Sequence, residues 1–383
     1  MFKMNFNKAM KEIRGKEEKI IETYNNLLPE WLGNAVKKIN GTNYNSNHFF
    51  IENYQKIASK EFEFFDQNPS YKSVNIASSP LNEARNRYMN VYPYDYNRVK
   101  LLNKSKVTAS ESSDFINASI IQNPYTKTNS YIATQGPIKE TCTDFWQMIW
   151  EQNVYLIVMV AREMENNIIK CAIYWPTEKN TIYELNLPNE QNNDNTQRKL
   201  ELVLKDITQP TDNIIKRTIQ ITETEIVKTN NSVEHRNIRT REVIHLQFIA
   251  WPDHDEPNSI SSFIDLIKLS KSIKSNVKNS DQYTDLEKQS LTVVHCSAGV
   301  GRTGTFMTLD MLFDFYYDIL QLKGSFTFKD SLDANIKINS TDEIQECIIH
   351  LRKQRVMMVQ SLQQLVFCYK ALAYELIQFQ LNK

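Results

Sequence analysis

The run Leu291–Phe306, LTVVHCSAGVGRTGTF, constrains the fold of this chain more than any other stretch. Its first four residues are apolar or β-branched, a pattern typical of a short buried strand. A glycine-punctuated loop follows, and from Thr303 to Ile319 apolar residues recur at helical spacing. The sequence therefore predicts a strand, then Cys296 at the strand end, then a tight loop that leads into a helix N-terminus.

The loop from Cys296 to Arg302 has the composition of an anion-binding site. A helix N-terminus presents unpaired N–H groups and a partial positive charge. Three of the 8 glycines of the chain are Gly299, Gly301 and Gly304, and they allow backbone N–H groups to turn inward. The same field favours a thiolate, which would make Cys296 a nucleophile, and the Arg302 guanidinium can hold two oxygens of an anion. This pattern predicts phosphoryl transfer through a thiophosphate; the alternative is a buried cysteine in an α/β core.

Composition excludes several other classes of protein. A length of 383 residues suits one large or two ordinary domains, and a hydrophobic fraction of 41% is ample for a core. The formal net charge of +0 argues against nucleic-acid binding. We find no apolar run of about 20 residues and no signal peptide, so we expect no membrane association. Five widely spaced cysteines without CxxC and six histidines without HExxH predict a reducing compartment, no metal and no cofactor.

The motif HCSAGVGRTG resembles the signature loop of the cysteine-based protein tyrosine phosphatases, and further stretches from about Asn86 to Leu372 resemble the same family, several of them its fungal members. The resemblance implies an α/β fold, with a central twisted mixed β-sheet flanked by helices in a single phosphatase domain. We expect residues 66–383 to form this catalytic domain. Residues 1–65 are polar and helix-prone, and we expect a helical N-terminal extension that caps the domain; a docking or targeting segment is the alternative.

The resemblance also implies roles for the residues of the signature loop. Cys296 would attack phosphorus, and Arg302 would hold the phosphoryl oxygens together with backbone N–H groups. Thr303 would hydrogen-bond the departing thiolate. The residues expected to contact the phosphoryl group are Cys296, Ser297, Ala298, Gly299, Val300, Gly301 and Arg302.

The stretch Trp251–Pro257, WPDHDEP, resembles the mobile acid loop of the family. Asp253 would contact the substrate, protonate the leaving tyrosyl oxygen and later accept a proton from water. An N-cap or turn aspartate is the alternative for Asp253. Trp251 would anchor the loop near Arg302. Where the family usually has a small pair such as Gly-Val before the last proline, this chain has Asp255 and Glu256, which predicts a stiffer loop and an altered substrate preference.

The segment Ala84–Leu101 resembles the phosphotyrosine-recognition loop of the family. Tyr88 would line the wall of a deep slot and stack on the substrate ring, and Asn90 would bind the substrate backbone. A slot of this depth admits phosphotyrosine, whereas phosphoserine is too short to reach its floor. We expect Arg87 and Arg98 to form structural ion pairs.

Two more stretches resemble parts of the family's active site. Gln360 would bind the substrate and position the attacking water, with Gln364 as a second glutamine nearby, because an amide both donates and accepts hydrogen bonds. Glu165 would orient Arg302, and Lys170 would reach toward the acid loop. These roles follow from the resemblance and not from spacing.

The sequence thus predicts a protein tyrosine phosphatase that hydrolyses phosphotyrosine in proteins through a cysteinyl-phosphate. Its partners would be phosphotyrosine-containing proteins, with a MAP kinase as a candidate, and it would be a monomer in the cytoplasm, with the nucleus as an alternative. One rival is a phosphotyrosine-binding module that has lost catalysis, although the cysteine, arginine and acid are all present. The other is a dual-specificity or lipid phosphatase, which generally lacks the Asn-Arg-Tyr segment.

Overall fold

A computed structural model describes residues 2–39, 44–106, 112–188, 196–228, 232–251, 256–279, 291–322 and 341–382. Within these ranges the chain forms a nine-stranded mixed sheet, a two-stranded ladder and helices that flank them. The strands are β1 Arg98–Lys106, β2 Ser112–Gln122, β3 Asn129–Thr134, β4 Leu156–Met159, β5 Met164–Glu165, β6 Ile168–Ile169, β7 Ile182–Asn186, β8 Thr196–Thr211, β9 Ile214–Lys228, β10 Val233–Phe248 and β11 Thr292–His295. The helices are α1 Phe2–Thr23, α2 Glu30–Ile39, α3 Tyr44–Gln67, α4 Cys142–Glu151, α5 Ile260–Asn279, α6 Gly301–Leu322, α7 Glu343–Gln354 and α8 Leu362–Leu381.

The order of strands in the large sheet is β1-β2-β3-β11-β4-β10-β9-β8-β7. The central strands β3, β11, β4 and β10 are parallel, and both flanks are antiparallel. All residues of β11 and β4 are buried, as expected for parallel strands that are covered on both faces. The predicted α/β fold with a mixed sheet flanked by helices is confirmed.

The loop of the sequence motif lies at the carboxyl end of β11, in the middle of the sheet. The strand ends at His295, and α6 begins at Gly301, two residues before the start that we predicted from apolar spacing. Ligands of open α/β sheets bind at this edge, beyond the carboxyl ends of parallel strands. The fold therefore places Cys296 where a site is expected.

Helices α1, α2 and α3 lie in the N-terminal part of the chain, and α8 contacts all three of them. Buried side chains from these helices join the same hydrophobic cluster as the sheet. Among them are Ile21, Leu32, Phe50 and Ile57. Because α3 continues to Gln67, the secondary structure has no break at residue 65, and the division into an extension and a catalytic domain stays a prediction.

Across the residues described, no helix has both the length and the apolar character that a membrane crossing requires.

Candidate active site

The backbone of the Cys296–Arg302 loop depends on Gly299. This residue has φ 72°, in the left-handed region that L side chains rarely adopt. A Cβ atom there would lie 2.0 Å from the carbonyl oxygen of Thr134, at the end of the neighbouring strand β3. Only glycine fits this turn, and the loop consequently packs directly on β3.

Cys296 lies at the floor of a cavity of about 240 Å³ and is only 5% exposed. Its Sγ accepts a hydrogen bond of 3.3 Å from the Thr303 hydroxyl. The cavity brings together residues from four separate parts of the sequence. Those that we predicted from sequence and that line it are Tyr88, Asn90, Glu165, Lys170, Cys296, Ser297, Ala298, Gly301, Arg302, Gln360 and Gln364.

Two of the predicted phosphoryl contacts, Gly299 and Val300, do not line this cavity. Val300 is fully buried, and its carbonyl oxygen accepts hydrogen bonds from Gly304 and Val359. Their predicted contribution was through backbone N–H groups, which remains a prediction. Val91, which also lines the cavity, was missed because its apolar side chain carries no signal in the sequence.

Arg302 is held in place by Glu165. The two guanidinium nitrogens Nη1 and Nη2 donate to the two carboxylate oxygens at 2.6 and 2.8 Å, and both side chains are buried. Such a two-point, charge-assisted contact fixes the plane of a guanidinium as well as its position. The predicted contact between Glu165 and Arg302 is present.

Arg355, the residue after α7, holds the backbone of the Cys296–Arg302 loop through hydrogen bonds, and the sequence did not predict this role. It is fully buried, and its guanidinium donates to the carbonyl oxygens of Gly299 at 2.8 Å and Ala298 at 3.1 Å, and to Asn117 Oδ1 at 2.8 Å. Burial lowers the pKa of Arg355 to about 10. In a trans peptide the N–H points opposite to the carbonyl. Loop carbonyls that face Arg355 therefore turn the following N–H groups away from it.

Tyr88 forms one wall of the cavity. Its hydroxyl lies 2.9 Å from Ser297 Oγ, which itself donates to the carbonyl oxygen of Lys170 at 2.9 Å. Since the serine proton is used in that second bond, Tyr88 is the donor to Ser297. Asn90 is exposed at the rim. The recognition segment is thus joined directly to the loop that carries Cys296.

The comparisons with known proteins agree with this geometry. A sequence model described as protein-tyrosine phosphatase matches residues 82–374. The chain belongs to the protein-tyrosine phosphatase family. It is 31% identical over 315 residues to rat tyrosine-protein phosphatase non-receptor type 9, which covers 82% of this chain and 45% of that protein. It is 32% identical over 329 residues to human receptor-type tyrosine-protein phosphatase C, covering 84% of this chain and 21% of that protein.

The chain therefore spans less than half the length of these two phosphatases. Among solved structures, the catalytic domain of human protein tyrosine phosphatase non-receptor type 18 superposes with a TM-score of 0.61 at 26% identity, over 86% of this chain and 96% of that one. A structure of non-receptor type 18 phosphatase in complex with HER2 phosphopeptides superposes with the same score at 25% identity, over 86% of this chain and 93% of that one.

The acid loop that the phosphatase resemblance implies falls mostly outside the described residues, which leave out Asp253 and Asp255. The structure does describe Trp251, at its N-terminal side. The Trp251 side chain is 2% exposed, and its ring packs against Phe263 and Phe367 at centroid distances of 5.0 and 5.8 Å. The N-terminal end of the predicted acid loop is therefore anchored in the core.

The other end of this loop contacts the N-terminal helix α1. Glu256 forms an ion pair with Arg14 at 3.1 Å, and Arg14 also donates to the carbonyl oxygen of Pro257 at 2.9 Å. Lys370 of α8 lies 3.8 Å from the same carboxylate. Glu256, one of the two acidic residues that depart from the usual family pattern, thus has cationic partners on two helices.

Two arginines of the recognition segment were both expected to form ion pairs. Arg98 does so, with Asp114 at 3.0 Å. Arg87 behaves differently, because its guanidinium donates to the carbonyl oxygens of Gly136 at 2.9 Å and Pro137 at 2.7 Å. It therefore ties the recognition segment to a main-chain turn and not to a carboxylate.

Gln360 lies at the rim of the cavity, at the entrance to α8. Its backbone N–H donates to Gln364 Oε1 at 2.8 Å, and the same oxygen accepts from the N–H of Ser361 at 3.3 Å. Gln364 is buried, whereas Gln360 is exposed. The two glutamines are therefore distinct: Gln364 holds the backbone, and the Gln360 side chain faces the cavity.

A chain of buried hydrogen bonds leads away from the loop through the sheet. His295 Nδ1 lies 3.1 Å from the carbonyl oxygen of Cys296, and its Nε2 lies 2.8 Å from the Tyr174 hydroxyl. That hydroxyl also contacts His245 Nε2 at 2.9 Å, and Arg217 lies 3.2 Å from His245 Nδ1. Because Arg217 can only donate, His245 Nδ1 accepts its hydrogen bond and His245 Nε2 donates to the Tyr174 hydroxyl. That hydroxyl then donates to His295 Nε2, and His295 Nδ1 donates to the Cys296 carbonyl oxygen. Both imidazoles are neutral in this assignment. Burial lowers the pKa of His295 to about 4, which agrees with a neutral ring.

Proposed function

We propose that this chain hydrolyses phosphotyrosine in proteins through a cysteinyl-phosphate. The observation that carries the proposal is the cavity itself, in which the Cys296 sulfur lies at the floor, Tyr88 forms a wall and Glu165 fixes Arg302. A sulfur nucleophile below a fixed guanidinium suits in-line attack on a phosphoryl group. The aromatic wall suits a phenyl leaving group.

In the first step the Cys296 sulfur attacks phosphorus, so that an S–P bond forms while the bond to the tyrosyl oxygen breaks. Arg302 and the N–H groups from Ser297 to Arg302 hold the three other oxygens and stabilise the charge of the transition state. Asp253 protonates the departing tyrosyl oxygen. Asn90, at the rim, binds the backbone of the substrate peptide.

In the second step water attacks phosphorus and the S–P bond breaks, which releases inorganic phosphate. Gln360 orients this water and Asp253 accepts its proton. Thr303, which donates to the Cys296 sulfur, stabilises the departing thiolate. Gln364 supports Gln360 through its backbone.

For partners, we propose phosphotyrosine-containing proteins, with the phosphotyrosine of a MAP kinase as a candidate substrate. A solved relative in complex with phosphopeptides supports a peptide substrate here. All five cysteines are free thiols, which supports a reducing compartment, the cytoplasm first and the nucleus second. We also propose that the chain acts as a monomer.

The test is hydrolysis of a phosphotyrosine peptide in the presence of EDTA, with wild type beside Cys296→Ser and Asp253→Ala. We expect turnover by wild type, none by Cys296→Ser, and binding with little turnover by Asp253→Ala. A phosphothreonine peptide of the same sequence should be hydrolysed far more slowly. Peptide binding without wild-type turnover would instead indicate a binding module, and equal rates on both peptides would indicate dual specificity.

A further inference from the structure

Helix α3, in the N-terminal part of the chain, contacts the segment that carries Gln360, and the sequence did not predict this contact. The hydroxyl of Tyr54 on this helix donates a hydrogen bond to the backbone carbonyl oxygen of Gln360. The backbone N–H of the same glutamine is held by Gln364. Both peptide groups that flank the Gln360 side chain are therefore fixed, one by α8 and one by α3.

A second connection from α3 passes through Arg352 of α7. Glu61 on α3 pairs with Arg352 at 3.3 Å, and the guanidinium carbon lies 5.2 Å from the centre of the Tyr54 ring. Arg352 is 5% exposed, and it donates to the carbonyl oxygens of Met358 at 3.0 Å and Val359 at 2.9 Å. These are the two residues directly before Gln360.

The segment that these contacts hold has an unfavourable backbone. Met357 and Val359 have φ values of 57° and 58°, in the left-handed region, which is a true outlier for a β-branched residue such as valine. Such conformations persist only where the surroundings fix them. Without the bonds from α3 and Arg352, the segment would relax and carry Gln360 with it.

We propose that α3 is a positioning element of the active site, in which Tyr54, with Glu61 acting through Arg352, holds Gln360 where it directs water onto the cysteinyl-phosphate. This inference rests on the proposed function. The Gln360 side chain is exposed at the cavity rim, so its place is set mainly by the backbone that carries it.

The positioning role predicts an effect on one step only. In the first transfer the tyrosyl oxygen leaves and no water takes part, so a displaced Gln360 leaves the formation of the S–P bond unaffected. In the second step the water oxygen must lie in line with the S–P bond, and this step slows when the glutamine moves. An alcohol such as ethylene glycol, which is larger than water and does not depend on Gln360 for its orientation, then competes better with water for the phosphoryl group.

The experiment uses the full chain with p-nitrophenyl phosphate and added ethylene glycol as a competing acceptor. Nitrophenol is released when the phosphoenzyme forms, whichever acceptor follows. Transfer to water then gives inorganic phosphate, whereas transfer to ethylene glycol gives a phosphate ester. Tyr54→Phe removes the hydroxyl and keeps the ring. We expect hydrolysis of the intermediate to slow roughly five-fold, the equivalent of one neutral hydrogen bond. The ratio of phosphate to nitrophenol in glycol should fall, and acid quenching should trap more phosphoenzyme.

Tyr24→Phe is the matched control, because Tyr24 is an exposed tyrosine in the same N-terminal part of the chain, and its ratio should equal that of wild type. Glu61→Gln leaves Tyr54 intact and should lower the ratio to a smaller extent. Unchanged ratios in both α3 variants, or phosphoenzyme formation that slows as much as hydrolysis, would overturn the inference. A wild type that forms no phosphoenzyme at all would overturn the proposed function instead.

Discussion

Gly299 has the tightest steric requirement among the glycines that the structure describes. Its φ of 72° and the 2.0 Å that would separate an added Cβ atom from the Thr134 carbonyl oxygen both exclude a side chain. For Gly299→Ala we expect the loop to shift and phosphotyrosine turnover to fall by about 100-fold, since displacements near 1 Å have effects of that size. The control is Gly15→Ala in α1, where nothing lies within 4 Å of the added methyl group. A fully active Gly299→Ala would show that the loop geometry is not needed.

Arg355 offers a second test of the loop, because it holds the loop carbonyls from the side away from the cavity. Arg355→Lys keeps the charge but loses the planar donor arrangement, and at least one buried carbonyl loses its partner. We expect kcat/KM to fall about tenfold and the free energy of unfolding to fall by about 1–3 kcal/mol. Arg98→Lys is the matched control: Arg98 is also a buried arginine, but it pairs with Asp114, so stability should change without a comparable loss of turnover.

Sequence reasoning succeeded for residues whose function depends on local spacing. Cys296 and Arg302 lie in one loop, so their joint presence at a strand–helix junction follows from the pattern alone. Arg355 and Tyr54 were missed because their contacts join segments that are distant in sequence, and the local sequence does not distinguish them from an arginine or a tyrosine at the surface. Arg87 was assigned the wrong partner because sequence does not distinguish a carboxylate acceptor from a main-chain carbonyl.

Helix α5 begins directly after the predicted acid loop, and its N-terminus is capped by a side chain from α1. Glu17 is 3% exposed and accepts hydrogen bonds from the N–H groups of Ile260 and Ser261, each at 3.0 Å, and from the hydroxyl of Ser259 at 2.8 Å. A carboxylate at this position satisfies orphan donors and complements the helix dipole.

Glu17→Gln removes the charge and one acceptor oxygen. We expect the free energy of unfolding to fall by about 1–3 kcal/mol, measured by urea denaturation. Glu12→Gln on the same helix is the control, because the ion pair that the structure describes for Glu12, with Lys16, is exposed, and its effect should stay below about 1 kcal/mol. Equal effects of the two substitutions would mean that α1 does not dock onto α5 in solution.

At the level of elements, the sequence predicted helices and strands but not what each helix covers. The apolar spacing of residues 13–27 predicts one or two amphipathic helices. Such spacing defines the buried face of a helix but does not identify the surface against which that face packs. The structure places α1 against α5 and α8, and it places α3 beside the segment that ends at Gln360. Charged side chains such as Glu17 and Glu61 make part of these contacts. The role of residues 1–65 as an extension that caps the domain stays a prediction, with a docking or targeting segment as the alternative.

The whole molecule contains a buried hydrogen-bonded chain that crosses the middle of the sheet, from His295 on β11 through Tyr174 to His245 on β10 and Arg217 on β9. Burial lowers the pKa of His295 from 6.5 to about 4. Burial, with a smaller contribution from the charge of Arg217, lowers the pKa of His245 well below its usual range. Both imidazoles are therefore neutral in the folded chain at pH 7.

As pH falls below 6.5, the unfolded chain binds protons at these histidines and the folded chain does not, so the stability that they contribute is present above 6.5 and is lost toward pH 4. For His295 alone the free energy of unfolding should be about 2 kcal/mol lower at pH 5 than at pH 7.

Burial raises the pKa of Asp342 and Glu343, which changes stability with pH in the opposite direction, so the measurement compares variants. In urea titrations at both pH values, His245→Asn should reduce the pH dependence and exposed His235→Asn should not. The same pH dependence in wild type and His245→Asn would show that His245 is not held neutral by the sheet.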